Sequence, residues 1–380
     1  MSASLPHAIS SLTHLGDMPI ATFLAEYWQK KPLLIRKAFP NFSSPLSADE
    51  IAGLTLDDDV VCRLALENEQ NGSWTVEHGP LPEDIFTSLP ESRWTLLVQH
   101  ADSLDPEVNQ LLNSFRFIPN WRLDDIMVSY APDGGGVGPH FDYFDVFLLQ
   151  GEGERRWRLG QKCDSQSPLL PDQPMKILAS FDTSEDWTVN AGDLLYIPAQ
   201  VAHWGEAIGE SITYSIGFRA PSHSELLLEF AQEASAACTE DQRYADPDLQ
   251  IQNNPGEIAP SAVANFKKIL LEHCNNESTL RRWLGEYSTG LKQEIDGLCE
   301  GLSEQELIGN LPFKLNPFCR VAYSTDKGVT LCFINGCSYA CSEQLAQALS
   351  SYAAVKLDQF ASDQTLLMQL QGQGLLVQAD

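Results

Sequence analysis

The chain of 380 residues holds no apolar run approaching the ~20 residues a membrane-spanning helix needs, so none is expected. Its start, MSASLPHAISSLTHLGDMP, has no basic stretch leading into an apolar one, so no secretory leader is expected. Cysteine is neither paired nor patterned. There are nine, an odd number, scattered and without a C-x-x-C pair, and the late cluster Cys332, Cys337 and Cys341 has no histidines at zinc spacing. A disulfide framework and a structural zinc site are thereby disfavoured, and a reducing cytoplasm is the expected location. Positive charge is scarce: Lys and Arg number 24 against 52 Asp and Glu, for a net charge of −28. Such a field repels nucleic-acid phosphates, so no direct nucleic-acid binding is expected, and it attracts basic partners, although acidity also serves solubility alone. Internal repeats and low-complexity tracts are absent. What is there, 43% hydrophobic and 20% charged residues, fits an ordinary folded protein with room for two or three domains.

The chain is organised around residues 134–160, GGGVGPHFDYFDVFLLQGEGERRWRLG. His140 and Asp142 are two apart, and on a strand such residues project from one face, where both can reach one metal ion. A bare H-x-D also occurs in surface turns, so context decides. A strand-like run, Val146 to Leu149, follows the pair. A second, Leu194 to Ile197, begins after Gly192-Asp193 and ends at Pro198, with His203 close behind. Two histidines and one carboxylate form the facial triad of non-heme Fe(II) oxygenases, which leaves metal positions open for cosubstrate and oxygen. Two strand blocks carrying H-x-D and then H are how double-stranded β-helix (cupin) oxygenases present their ligands.

The rest of the chain gives the setting. Phe23 to Trp28 has helical spacing, stopped by Lys30-Lys31-Pro32. Leu33 to Ile35 reads as a short strand, and Ser47 followed by Asp49 and Glu50 as a helix start. Val60–Leu66, Ser73–Val76 and Trp94–Val98 read as strands, and strand density is high from Ile126 to Phe218. Phe144–Gln150 and Arg155–Leu159 are expected to form a hairpin across Gly151-Glu152-Gly153-Glu154. After Pro221 three helical patterns follow, around Phe230, Phe266 and Trp283, with apolar faces that suit a partner subunit or their own barrel equally. The last stretch reads as a small α/β unit, with strands at Arg320–Tyr323 and Val329–Ile334 and helices opened by Ser342 and by Ser362-Asp363. The expected class is α+β. Its parts are a catalytic barrel over residues 1–220, a helical region over 221–300, and a winged-helix-like domain over 301–380, too poor in basic residues to read as a DNA binder.

An iron oxygenase of this kind needs a reductant. Where 2-oxoglutarate supplies it, a cation must hold its distal carboxylate, and arginine binds carboxylates through a planar fork. Arg155 is the candidate, since across the expected hairpin it falls opposite Gln150, which shares the parity of His140 and Asp142. Ser129 offers a hydroxyl to the same carboxylate. Asp125 can bind a cationic substrate side chain and is preferred to Asp124 because it shares parity with Ser129. Tyr143 is the candidate ring beside the substrate, with adjacent Phe144 as the alternative. The remaining histidines (His7, His14, His78, His100, His223 and His273) are read as structural.

FLAEYWQKKPLLIRKAFP, the segment GGGVGPHFDYFDVFLLQGEGERRWRLG, GDLLYIPAQVAHWGE and RYADPDLQ together resemble the bacterial ribosomal oxygenases of the JmjC/cupin type, over roughly residues 15–260. Within that family the segments resemble the arginine 3-hydroxylases of a large-subunit ribosomal protein. The resemblance implies a JmjC barrel, a helical dimerisation region and a C-terminal winged-helix-like domain. It implies Fe(II) on His140, Asp142 and His203, with 2-oxoglutarate held by Arg155 and O2 as the second cosubstrate. It implies oxidative decarboxylation to succinate and CO2, coupled to oxidation of a substrate β-carbon, and a homodimer acting on a basic ribosomal protein. Histidine hydroxylation or lysine demethylation by the same chemistry, and a non-catalytic metal-binding cupin scaffold, are the competing readings.

Overall fold

A computed structural model describes residues 13–70, 72–291 and 303–379. The chain divides into two compact units, the first running to Ala220 and the second starting at Pro221. The helices after Pro221 fall in one unit with the C-terminal strands.

In the first unit a small hairpin, β1 (His14–Leu15) and β2 (Met18–Pro19), leads into α1 (Ile20–Glu26), which buries Ile20 and Phe23. β3 (Leu33–Ile35) follows, and then α2 (Ala48–Leu54), opened by a capping box in which Ser47 and Glu50 satisfy each other's backbone N–H. β4 (Cys62–Glu67), β5 (Trp74–His78) and β6 (Trp94–Val98) come next, then α3 (Pro106–Leu111), where Asp105 caps and Pro106 takes the first turn. β7 (Leu123–Ala131), β8 (Val146–Lys162), β9 (Glu185–Asn190), β10 (Leu194–Ile197) and β11 (Val201–Phe218) complete the unit. One antiparallel sheet runs in the order β3-β10-β8-β11-β7-β6-β4-β5, with β9 also on β8. Phe23, Phe115, Phe147, Tyr196, Tyr214 and Phe218 pack beneath one face.

The expected hairpin between Gln150 and Arg155 is absent. β8 runs through as one strand of 17 residues and pairs along its length with β11, whose register shifts at Ile208/Ser211 and Ile212/Thr213. Gly153 explains why the chain bends here without turning back. It sits at φ +67°, and a Cβ on it would lie 1.9 Å from the Glu210 carbonyl oxygen, so only glycine lets the two strands press together. The bend also switches parity. Val146 and Leu148 face the cavity before it, Arg155 and Trp157 after it.

In the second unit α4 (His223–Ala236) starts with a Ser222/Glu225 capping box, α5 (Pro260–Cys274) with proline in its first turn, and α6 (Glu277–Thr289) with Asn276 as cap. Phe230 and Trp283 join α4 to α6, their ring centroids 5.2 Å apart. α5 buries no side chain; Val263, Phe266 and Leu270 are exposed on it. α7 (Glu304–Ile308), β12 (Phe313–Leu315), the meander β13 (Val321–Asp326), β14 (Val329–Ile334) and β15 (Cys337–Ala340), then α8 (Glu343–Ser350), α9 (Gln364–Gly372) and β16 (Leu376–Gln378) close the chain. β12 pairs with β16, and Leu307, Phe313, Leu345, Leu349, Leu367 and Leu370 form the core. Among the described residues no helix is long and apolar enough to cross a membrane.

Candidate active site

The inner face of the first unit's sheet encloses a cavity of about 470 Å³. Strand alternation builds its walls: Asp125, Met127 and Ser129 from β7, Thr213, Ser215 and Gly217 from β11.

His140 and His203 meet at one end as a cross-strand pair. The His140 N–H donates to the His203 carbonyl at 3.0 Å and the His203 N–H to the His140 carbonyl at 2.8 Å. The Gln200 N–H donates to the Asp142 carbonyl at 2.6 Å and holds the third residue to the same edge. The ligand atoms of His140, Asp142 and His203 all lie within 4.8 Å of one another, the one such group among the described residues. Each imidazole is oriented by its own backbone: His140 Nδ1 lies 2.9 Å from the Gly138 carbonyl and His203 Nδ1 2.9 Å from that of Val201. A carbonyl only accepts, so each Nδ1 carries the hydrogen, which leaves Nε2 as the nitrogen that can ligate a metal. Burial, and then the neighbouring His140, pull the His203 pKa down to about 4 against the opposing pull of Asp142. His203 is therefore neutral at pH 7. A carboxylate with two imidazoles fits a divalent first-row cation.

Arg155 is buried in the cavity wall. Its contacts are long: Nη1 donates to Thr213 Oγ1 at 3.3 Å and Nη2 to the Gly135 carbonyl at 3.4 Å, while its buried Nε has no acceptor. Burial pulls its pKa down to about 10, so the cation persists at pH 7 without a counter-charge on its fork. Thr213 Oγ1 donates in turn to Gln150 Oε1 at 3.1 Å, and Gln150 Nε2 donates to Ser211 Oγ at 2.9 Å. Ser129, opposite Thr213 in the ladder, is buried in the same wall and donates to the Thr213 carbonyl at 3.4 Å. An under-satisfied guanidinium beside hydroxyls, in the cavity that holds three metal-ligating groups, fits a small dicarboxylate.

Asp125 and Phe144 also line the cavity, whereas Asp124 pairs with Arg219 at 3.4 Å. Tyr143 is not among the lining residues. It is 52% exposed and its ring packs edge-on against Phe141, because it is odd in parity whereas His140, Asp142, Phe144, Val146 and Leu148 line the cavity. Sequence reasoning used Gln150 only to orient Arg155 and passed over Thr213, which reaches Arg155 through the β8–β11 register, and Arg63, whose buried Nε lacks a partner and whose pKa burial lowers against the pull of Asp142. It read His100 as structural, yet His100 Nδ1 lies 2.9 Å from Asp125 Oδ2. No local signal marks that pair, since the two residues meet only through the fold.

Residues 110–226 match the family model of the JmjC domain. The chain is 36% identical over 274 residues, 72% of either protein, to the ribosomal protein uL16 3-hydroxylase of Escherichia coli. Its fold is similar to the crystal structure of YcfD, a ribosomal oxygenase from E. coli, with 30% identity and a TM-score of 0.83 over 97% of this chain and 99% of that one. A structure of YcfD in complex with cobalt and 2-oxoglutarate is likewise similar, with a TM-score of 0.82 over 96% and 98% of the two chains. With the likeness running through both units, this chain belongs to the JmjC-domain ribosomal oxygenases.

Proposed function

We propose that this protein is an Fe(II)- and 2-oxoglutarate-dependent hydroxylase that modifies an arginine of a basic large-subunit ribosomal protein, with succinate and CO2 as coproducts. The observation that carries the reading is one cavity holding the His140–Asp142–His203 cluster and the under-satisfied guanidinium of Arg155 together. His140, Asp142 and His203 hold the metal through two Nε2 lone pairs and one carboxylate oxygen. When bound, the iron supplies the oxygen-activating chemistry that no protein side chain provides. Arg155, with the hydroxyls of Thr213 and Ser129, binds the distal carboxylate of the cosubstrate and orients its keto-acid end toward the ligand cluster. Trp157, Val146 and Leu148 line the same cavity and exclude water from the reacting groups. Asp125 takes the substrate's cationic side chain. A carboxylate there favours a guanidinium over a neutral imidazole, which supports arginine against histidine. Phe144 replaces Tyr143 as the aromatic wall beside that side chain.

The net charge of −28 supports a basic protein substrate, and such a substrate would place the enzyme in the cytoplasm. The exposed apolar side chains of α5, with Leu227 and Leu228 on α4, support a homodimer formed through the helical region. The β13–β15 meander with α7, α8 and α9 supports a winged-helix-like reading of the C-terminal part. The test is oxygen-dependent conversion of 2-oxoglutarate to succinate with added Fe(II), with and without uL16, followed by mass spectrometry of uL16. Turnover stimulated by uL16, one added oxygen on an arginine peptide, and loss of both in His140→Ala are expected. A folded, iron-loaded protein with no turnover would overturn the reading in favour of a scaffold.

A further inference from the structure

His100 follows β6 directly and sits in the left-handed region at φ 54°, ψ 32°, a conformation few non-glycine residues hold without a compensating contact. Here two contacts compensate, and both fall on one atom. The His100 backbone N–H lies 3.3 Å from Asp125 Oδ2 and its Nδ1 2.9 Å from the same oxygen. Because a carboxylate only accepts, Nδ1 carries the hydrogen. Both side chains are mostly shielded, at 17% and 14% exposure, so the contact is little weakened by water. The same turn grips β7 a second time, since Asp102 Oδ1 accepts the Ile126 N–H at 2.8 Å. The Asp102 bond would suffice to dock the turn on the strand. The His100 contacts do something different, because they reach the side chain of a residue in the cavity wall.

We propose that His100 is a positioning residue for substrate recognition: it locks the Asp125 carboxylate in the orientation that receives the substrate's guanidinium. The inference rests on the reading of Asp125 as the cation-binding residue. An unheld aspartate samples several rotamers, and binding must freeze one of them; His100 does so before the substrate arrives. The effect is confined to substrate affinity, because the metal ligands and Arg155 are held by bonds in which His100 takes no part.

The experiment is steady-state hydroxylation of purified uL16 by the wild type, His100→Phe, His100→Asn and Asp125→Asn, with the Tm of each variant measured. KM is determined for uL16 and separately for 2-oxoglutarate. His100→Phe fills the space without a side-chain donor and is expected to raise KM for uL16 by about tenfold, the worth of one charge-assisted hydrogen bond, with kcat and KM for 2-oxoglutarate within about twofold of wild type. His100→Asn keeps a side-chain N–H and is expected to recover part of the loss, which also serves if the phenylalanine variant does not fold. Should Asp125→Asn raise KM for uL16 while both His100 variants leave it unchanged, the positioning role is overturned and the reading of Asp125 stands. Should Asp125→Asn itself leave that KM unchanged, the reading of Asp125 falls, and the role of His100 with it. A His100→Phe protein that loses kcat and 2-oxoglutarate affinity in parallel would show a general structural role instead.

Discussion

Replacing Arg155 by methionine should move stability and cosubstrate affinity in opposite directions. Without cosubstrate the guanidinium is a buried cation with two long hydrogen bonds and an unmatched Nε. Its pKa falls from 12.5 to about 10, a difference that corresponds to a cost of about 3 kcal/mol on the charged form in the folded state. The sign follows from the depressed value. At pH 7 the group is charged both folded and unfolded, so folding carries the whole cost, which is relieved only as pH rises through about 10. Methionine removes the charge and keeps most of the stem volume, but gives up the weak bonds to Thr213 and Gly135. A net gain of about 1–2 kcal/mol is expected, or a rise in Tm of about 2–8 °C for a unit of this size. The same change leaves a dicarboxylate without its counter-charge, and 2-oxoglutarate affinity should fall by about a thousandfold, roughly 4 kcal/mol. Lysine should fall between, as a point charge without the fork. Thermal melts of metal-free protein and titration calorimetry with Mn(II) and 2-oxoglutarate measure the two quantities. A methionine variant that melts lower than wild type yet binds 2-oxoglutarate within about tenfold of it would refute the argument.

Gly205→Ala would put a Cβ 2.6 Å from the Trp157 ring, whose centroid is 6.0 Å from that of His203; a loss of about 1–3 kcal/mol in denaturant unfolding and weaker Mn(II) binding are expected. Burial opposes the Asp193 anion, but the Lys37 and Asn190 N–H groups and Arg36 outweigh it and lower its pKa. Its stabilisation is therefore present above the ordinary carboxylate range and lost as pH falls through the lowered value, so in acid unfolding Asp193→Asn should be less stable at pH 7 and converge with wild type at the acid end. Phe266→Glu with Leu270→Glu, on exposed positions of α5, should shift a dimer to monomer in analytical ultracentrifugation while leaving the thermal melt of the folded chain intact; an unchanged sedimentation coefficient would argue against dimerisation through this helix.

What was legible in the sequence is what depends on short spacing. H-x-D alternation and the helix start at Ser47 are both local, and β10 appears at Leu194–Ile197 as read. The path of β8 was not legible. Gly151 and Gly153 look like a turn from composition, and only the facing β11 backbone shows that they serve close approach. The burial of Arg155 was reached from the wrong geometry, since the parity switch at the bend, rather than a hairpin opposite Gln150, turns it inward. Thr213, and the contact between His100 and Asp125, were missed because each depends on a partner distant in sequence. Tyr143 was named for its nearness to the ligand pair, whereas the parity of His140 and Asp142, carried two residues on, points to Phe144.

β11 spans Val201–Phe218 and contributes His203 near its start and Thr213, Ser215 and Gly217 further on, so one continuous strand serves, on the proposed reading, metal binding, cosubstrate binding and the substrate end of the cavity. Engineers inherit a constraint from this. A single inserted or deleted residue between His203 and Thr213 would turn everything beyond it to the opposite face, abolishing two binding events while sparing the third. Length variation should therefore be scarcely tolerated within β11, so that a library of random insertions would trace this strand as a silent stretch among the active clones.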